Sequence, residues 1–221
     1  SERIGACITK PGKFVAIGLN YSDHAAETGA DAPSEPIVFM KATSSINGPN
    51  DNIEIVSGSK KLDWEVELGI VIGRETKHIS EKQAQDHILG YCLVNDISER
   101  EWQIEKMGQW VKGKSHDTYG PIGPYLVTKD DISDVNNLNM FLDVNGKRMQ
   151  TGNTSTMIFN VDFIVSYLSK FMSLQAGDII TTGTPPGVGM GMKPQQFLKD
   201  GDSMMLSIEN LGEQNSKVVA L

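Results

Sequence analysis

Cysteine is almost missing from this 221-residue chain: Cys7 and Cys92 are the only two, and they form no CxxC pair. Both lie in apolar surroundings, so they are expected to pack as small hydrophobes in a reducing, cytoplasmic setting. Long apolar runs are missing too. None approaches the roughly 20 residues of a membrane-crossing helix, and the opening Ser1-Glu2-Arg3-Ile4-Gly5 has no signal-peptide pattern. Basic charge is in deficit, with 20 Lys and Arg against 28 Asp and Glu, a net charge of −8. That balance argues against nucleic acid or an anionic membrane as partner, since both need a basic footprint. A small anionic substrate would require positive charge gathered locally. No internal repeat or low-complexity linker appears. With 39% hydrophobic and 22% charged residues, the chain reads as an ordinary globular protein of one domain, or at most two small ones.

The most informative stretch is Asp63-Trp64-Glu65-Val66-Glu67-Leu68-Gly69-Ile70-Val71-Ile72-Gly73. Trp64, Val66, Leu68, Ile70 and Ile72 fall on one face, and Glu65, Glu67, Gly69, Val71 and Gly73 on the other, which is the period of a β-strand. Two carboxylates on one face repel, and a hard divalent cation with oxygen ligands would relieve that repulsion. A half-exposed strand with an acidic outer face would carry the same pattern. A third acid, Asp96, stands at the carboxyl end of the apolar run Tyr91-Cys92-Leu93-Val94-Asn95-Asp96-Ile97. Three carboxylates without a His or Cys cluster favour Mg2+, Mn2+ or Ca2+ over zinc.

Elsewhere, strands are expected at 13–18, 37–41, 53–56, 203–209 and 216–220, a turn into a strand over 174–182, and an Asn145-Gly146 hairpin spanning 138–150. Helices are expected at 20–29, from a capping box at Ser80-Glu81-Lys82-Gln83 up to Gly90, at 99–107 and at 160–172. His24 and Glu27 would share one face of the first of these, either as a hydrogen-bonded dyad or as a plain surface pair. Arg100 and Gln103 are likewise three apart. The loop Gly183-Thr184-Pro185-Pro186-Gly187-Val188-Gly189-Met190-Gly191 would let backbone amides approach a ligand closely. Short strands interleaved with few helices make an α+β, β-rich roll or barrel with peripheral short helices.

Gly108-Gln109-Trp110-Val111-Lys112-Gly113-Lys114-Ser115 matches the G-x-x-x-x-G-K-S phosphate-binding pattern. That motif needs a buried strand before it and a helix after it. Here polar, helical residues precede it and Gly120-Pro121-Ile122-Gly123-Pro124 follows, so a nucleotide site is not expected. Lys114 remains as a flexible cation on a loop.

Five ordered motifs together resemble the fumarylacetoacetate hydrolase superfamily across essentially the whole chain. They are Asn20-Tyr21-x-x-His24-x-x-Glu27, Trp64-Glu65-Val66-Glu67-Leu68, Asn95-Asp96-Ile97-Ser98-x-Arg100-x-x-Gln103, Gly113-Lys114-Ser115-x-Asp117-x-x-Gly120-Pro121 and Thr182-Gly183-Thr184-Pro185. The resemblance implies a mixed β-roll, usually homodimeric, with residues 1–221 as the catalytic domain; many bacterial relatives carry a smaller domain ahead of it, which is expected to be either absent here or not included in this sequence. It implies Glu65, Glu67 and Asp96 as ligands for Mg2+ or Mn2+, and His24 and Glu27 as a water-activating dyad. Lys114 becomes a substrate-binding cation, with Arg100, Gln103, Gly183 and Thr184 holding substrate oxygens. The expected reaction is hydrolysis of the C3–C4 bond of a 2,4-dioxo acid to pyruvate and a carboxylic acid, on an acylpyruvate or a 2,4-diketo-3-deoxy sugar acid. Oxaloacetate decarboxylation or tautomerisation, and isomerisation of a dienoic diacid, would use the same platform.

Overall fold

Two mixed sheets divide most of the strands of the computed structural model, which describes residues 2–23 and 32–221. The six-stranded sheet runs Val127–Thr128, Ile88–Asn95, Val66–Ile72, Ile179–Thr181, Phe14–Gly18, Ile37–Lys41. Only the pairing of Phe14–Gly18 with Ile179–Thr181 is parallel. The five-stranded sheet runs Lys147–Asn153, Asn139–Val144, Ser203–Ile208, Gly212–Ala220, Ile53–Ile55, and its one parallel pair joins the last two strands. The class is α+β and strand-rich, as the composition of short periodic segments implies.

The main core forms between the sheets. Val66, Leu68, Ile70 and Ile72 meet Met140, Leu142, Leu206 and Ile208 there, and helix Val161–Leu168 adds Ile164, Val165 and Leu168. The other face of the 66–72 strand is covered as well, by a second cluster containing Val71, Cys92, Val94 and Ile122. Every residue of that strand is buried, which removes the half-exposed reading of its acidic face. Gly69 does not leave open room above the acids: a Cβ there would sit 2.7 Å from Val94 Cγ2 and 2.8 Å from Cys92 Sγ. Its missing side chain admits the neighbouring strand.

The Asn145-Gly146 turn is present, with φ of 51° and 74° at its two central residues. Several expected helices contract. The capping box at Ser80 forms, but it starts a 3-10 turn and the four-residue helix Ala84–His87, and the next strand begins at Ile88. The expected 99–107 helix is replaced by the short strand Ser98–Glu99 and a π-helical turn Glu101–Glu105. The expected 160–172 helix stops at Leu168. Lys114 ends the short helix Val111–Lys114 inside the phosphate-loop look-alike, so it is not a flexible loop cation.

Candidate active site

Backbone ties bring the three acids together. Val66 pairs with Asn95, and just past that pair Asp96 N donates to Glu65 O at 2.9 Å while Glu65 N donates to Asn95 Oδ1 at 3.2 Å. Glu65 and Asp96 therefore emerge side by side, and Glu67 returns to Glu65's side of the strand two residues later. One carboxylate oxygen from each of Glu65, Glu67 and Asp96 lies within 4.8 Å of the others, and all three residues are buried.

Three cations answer this charge. Lys114 Nζ donates to Glu65 Oε2 at 2.8 Å and to Asp96 Oδ2 at 2.7 Å. Lys41 Nζ donates to Asp96 Oδ1 at 2.5 Å and to Ile97 O at 3.3 Å. Arg100 reaches Glu65 Oε1 through Nη2 at 2.7 Å, Asp63 Oδ2 through Nε at 2.8 Å and Gln103 Oε1 through Nη1 at 3.0 Å. Burial would raise the Glu65 carboxyl, but Lys114 and Arg100 outweigh it and hold that group below the usual carboxylate range. Glu67 goes the other way, pushed well above that range by burial and by the charges of Asp96 and Glu65. Burial lowers Lys41, helped by neighbouring Lys114, whereas for Lys114 the pull of Asp96 and Glu65 overcomes burial and raises it.

Glu67 Oε2 accepts from the Thr181 hydroxyl and from Gly183 N, while no described residue donates to Oε1. An all-oxygen donor set, converging and buried, with one member, Glu67, that has no ion-pair partner among the described residues, suits a hard divalent ion. Glu65, Glu67 and Asp96 are the residues that could hold it.

The expected substrate-holding groups gather at the same place. Glu65, Glu67, Arg100, Gln103, Lys114, Gly183 and Thr184 all line a cavity of about 230 Å3. Thr184 is tied into the protein: its hydroxyl donates to Val66 O at 2.9 Å and accepts from Gln150 Nε2 at 2.8 Å. Gly183 has φ +92°, and a Cβ there would lie 2.9 Å from Asn20 Cβ, so the close approach needs glycine. His24 and Glu27 lie outside the described residues. The segment leading to them is anchored beside the cavity, because Asn20 Nδ2 donates to Thr182 O at 2.8 Å and to Phe159 O at 3.0 Å.

Two residues have roles that sequence reasoning missed. Lys41 is the buried end of the edge strand Ile37–Lys41, whose Val38 and Met40 are exposed, and a lysine closing such a strand reads in the sequence as a solvent-facing charge. Asp63 accepts from Trp64 N at 2.9 Å, Gly189 N at 2.7 Å and Met190 N at 3.0 Å, besides Arg100. It fixes the glycine-rich loop against the acid-bearing strand. The motif Asp63-Trp64-Glu65 was its only signal.

The family model for the C-terminal region of fumarylacetoacetate (FAA) hydrolases matches residues 13–219. The chain belongs to this family. It is 61% identical over 213 residues to a Burkholderia cenocepacia protein provisionally named a hydrolase, a match covering 96% of this chain and 76% of that one. Among solved structures it is similar to a fumarylacetoacetate hydrolase from Exiguobacterium antarcticum, with 39% identity, TM-score 0.89, and coverage of 96% of this chain and 76% of that one. It is also similar to a 2-hydroxyhepta-2,4-diene-1,7-dioate isomerase from Mycobacterium marinum, with 39% identity, TM-score 0.85, and coverage of 98% and 77%.

Proposed function

We propose that this enzyme is a divalent-metal-dependent hydrolase that cleaves the C3–C4 bond of a 2,4-dioxo acid, giving pyruvate and a carboxylic acid. The observation that carries the reading is the convergence of Glu65, Glu67 and Asp96 with Lys114 and Arg100 at one cavity. A Mg2+ or Mn2+ ion held by the three carboxylates would stabilise negative charge developing on the 2-oxo group. Lys114 and Arg100 orient the oxo-acid head, and Gln103, whose Nε2 has no acceptor among the described residues, donates to a substrate carbonyl. His24, held by Glu27, takes the proton from the attacking water, a role supported by the motif they share with the family. Lys114 stabilises the oxyanion formed at C4. Residues 1–221 act as the catalytic domain, working as a homodimer in the cytoplasm.

A second reading follows from the Mycobacterium marinum neighbour: isomerisation of a dienoic diacid on the same charged platform. Oxaloacetate decarboxylation or tautomerisation is a third use of it. The test is release of pyruvate from 2,4-dioxo acids and oxaloacetate with Mg2+ or Mn2+, beside an absorbance assay for diene isomerisation. Cleavage of a 2,4-dioxo acid that disappears in Glu67→Ala supports the hydrolase; isomerisation without cleavage overturns it.

A further inference from the structure

Away from the charged groups, the cavity is walled by Ile17, Leu19, Phe39, Ile104, Trp110 and Met190. The aromatic part of this wall is built. Phe39 and Trp110 meet edge to face with centroids 5.1 Å apart, and Lys114 Nζ lies 5.1 Å from the centre of the Phe39 ring. The apolar wall therefore begins where the oxo-acid head would end. Trp110 rests on Gly18, where a Cβ would come within 2.5 Å of the indole ring, so glycine at that position makes room for the ring. Leu19 lines the cavity from a left-handed backbone, φ 50°, a conformation non-glycine residues keep only where their surroundings over-determine it. Met190 is held in place through its backbone N–H by Asp63.

Resting on the 2,4-dioxo acid reading, we infer that the acyl arm beyond C4 is a short alkyl or aryl group rather than a polyhydroxylated chain or a second carboxylate. A polyol needs a partner for each hydroxyl, because a hydroxyl buried without one is penalised. The described wall residues bring apolar side chains, with the Trp110 indole N–H as their single polar group, too few for several hydroxyls. Among the described residues, the other polar side chains at the cavity belong to the charged end, where the Thr184 hydroxyl is committed to Val66 and Gln150, and Gln103 has only its amide N–H groups to spare. A distal carboxylate needs a cation. Lys114 and Arg100 are the cationic side chains lining the cavity among the described residues, and both are bonded to the acids at the head-group end. No Lys or Arg occurs in the sequence between Lys13 and Lys41. The cavity is also small, about 230 Å3 among the described residues, which favours a short arm.

The test is a panel of 2,4-dioxo acids matched in heavy-atom count, with butyl or phenyl, hydroxylated, or carboxylate-ended arms. Each is offered to the Mn2+-loaded enzyme, with kcat/KM read from pyruvate release and Kd from calorimetry. The expected result is a preference for the apolar arm of about 10- to 100-fold in both quantities, the range available to an apolar pocket rejecting a hydroxyl. In Trp110→Ala, with its melting point checked, the apolar-to-hydroxylated ratio should fall at least fivefold. Equal or better use of hydroxylated or carboxylate-ended arms overturns the inference, as does a Trp110→Ala ratio equal to wild type. If nothing is cleaved but binding keeps the apolar preference, the reaction assignment fails while the pocket assignment stands; if binding is indifferent to the arm, the pocket assignment fails.

Discussion

Lys41 and Lys114 divide the two oxygens of Asp96 between them, at 2.5 Å and 2.7 Å, with all three side chains almost wholly buried. Removing Lys41 leaves the buried Asp96 with Lys114 as its one cation, toward the low end of the about 3–5 kcal/mol that breaking a buried pair typically costs. Lys41→Met should therefore lower stability by roughly 3 kcal/mol in urea titrations with chelator present; a loss below about 1 kcal/mol would mean that Asp96 does not depend on Lys41. Glu67 makes a different prediction. Its carboxyl is raised above the unfolded value by burial and by Asp96 and Glu65. In chelator-treated protein its contribution to stability is thus fully present below the ordinary carboxylate range and is lost as pH rises through the folded value. A divalent ion must displace the proton that Glu67 holds below its folded value, so Mn2+ affinity should climb with pH through that region and binding should release up to about one proton. Calorimetry in buffers of different ionisation enthalpy measures this release, and Glu67→Gln should abolish it.

At the scale of single elements, Asp63 joins the acid-bearing strand to the 183–191 loop and to Arg100. Asp63→Ala leaves the Arg100 guanidinium with Glu65 as its one carboxylate and its Nε without an acceptor, and leaves the N–H groups of Gly189 and Met190 without theirs. Stability should drop by about 3–5 kcal/mol, and amide exchange across 183–191 should speed up; unchanged exchange there would show that the loop is held by other contacts. Elements set by neighbours in sequence were legible beforehand. The Asn145-Gly146 turn and the alternation around Glu65 and Glu67 depend on residues a few positions apart. The acid trio was legible for the same reason, since each acid sits at the end of a readable strand. Lys41 was not, because its partner Asp96 lies 55 positions away and nothing local marks the pairing. Nor was the seat of Lys114. Gly113 lets its helix close on the preceding turn, with a Cβ there only 2.4 Å from Glu99 O, and Ser115 Oγ accepts from Ala42 N at 2.8 Å. The residues that mimic a phosphate loop are explained by packing and ion pairing.

For the molecule as a whole, the alkaline limit should be set by its buried tyrosines. Burial pushes the Tyr91 phenol up to about 12, and Tyr21 and Tyr119 are also raised by burial. Groups raised in this way contribute stability that is complete below their unfolded value near 10 and is lost as pH rises through the folded values. Melting temperature should accordingly fall between about pH 10 and 12, and Tyr91→Phe should flatten that fall; an identical slope in the variant would exclude Tyr91 as a cause. The proposed homodimer should scatter light as about twice the 24.2 kDa chain mass, and scattering at the chain mass would refute it.

Each of the two large sheets contains one parallel pair, and both pairs join an early segment to a late one: Phe14 with Ile179, and Ile53 with Val218. Such pairings close loops longer than most of the chain and are slow to form. On the ribosome, the strand Phe14–Gly18 can take Ile37–Lys41 as its neighbour early, but its other edge must wait until Ile179–Thr181 has been made. Ile53–Ile55 waits longer still. Throughout most of translation the nascent chain therefore presents open strand edges, and protection by chaperones should matter most just before the last strands emerge.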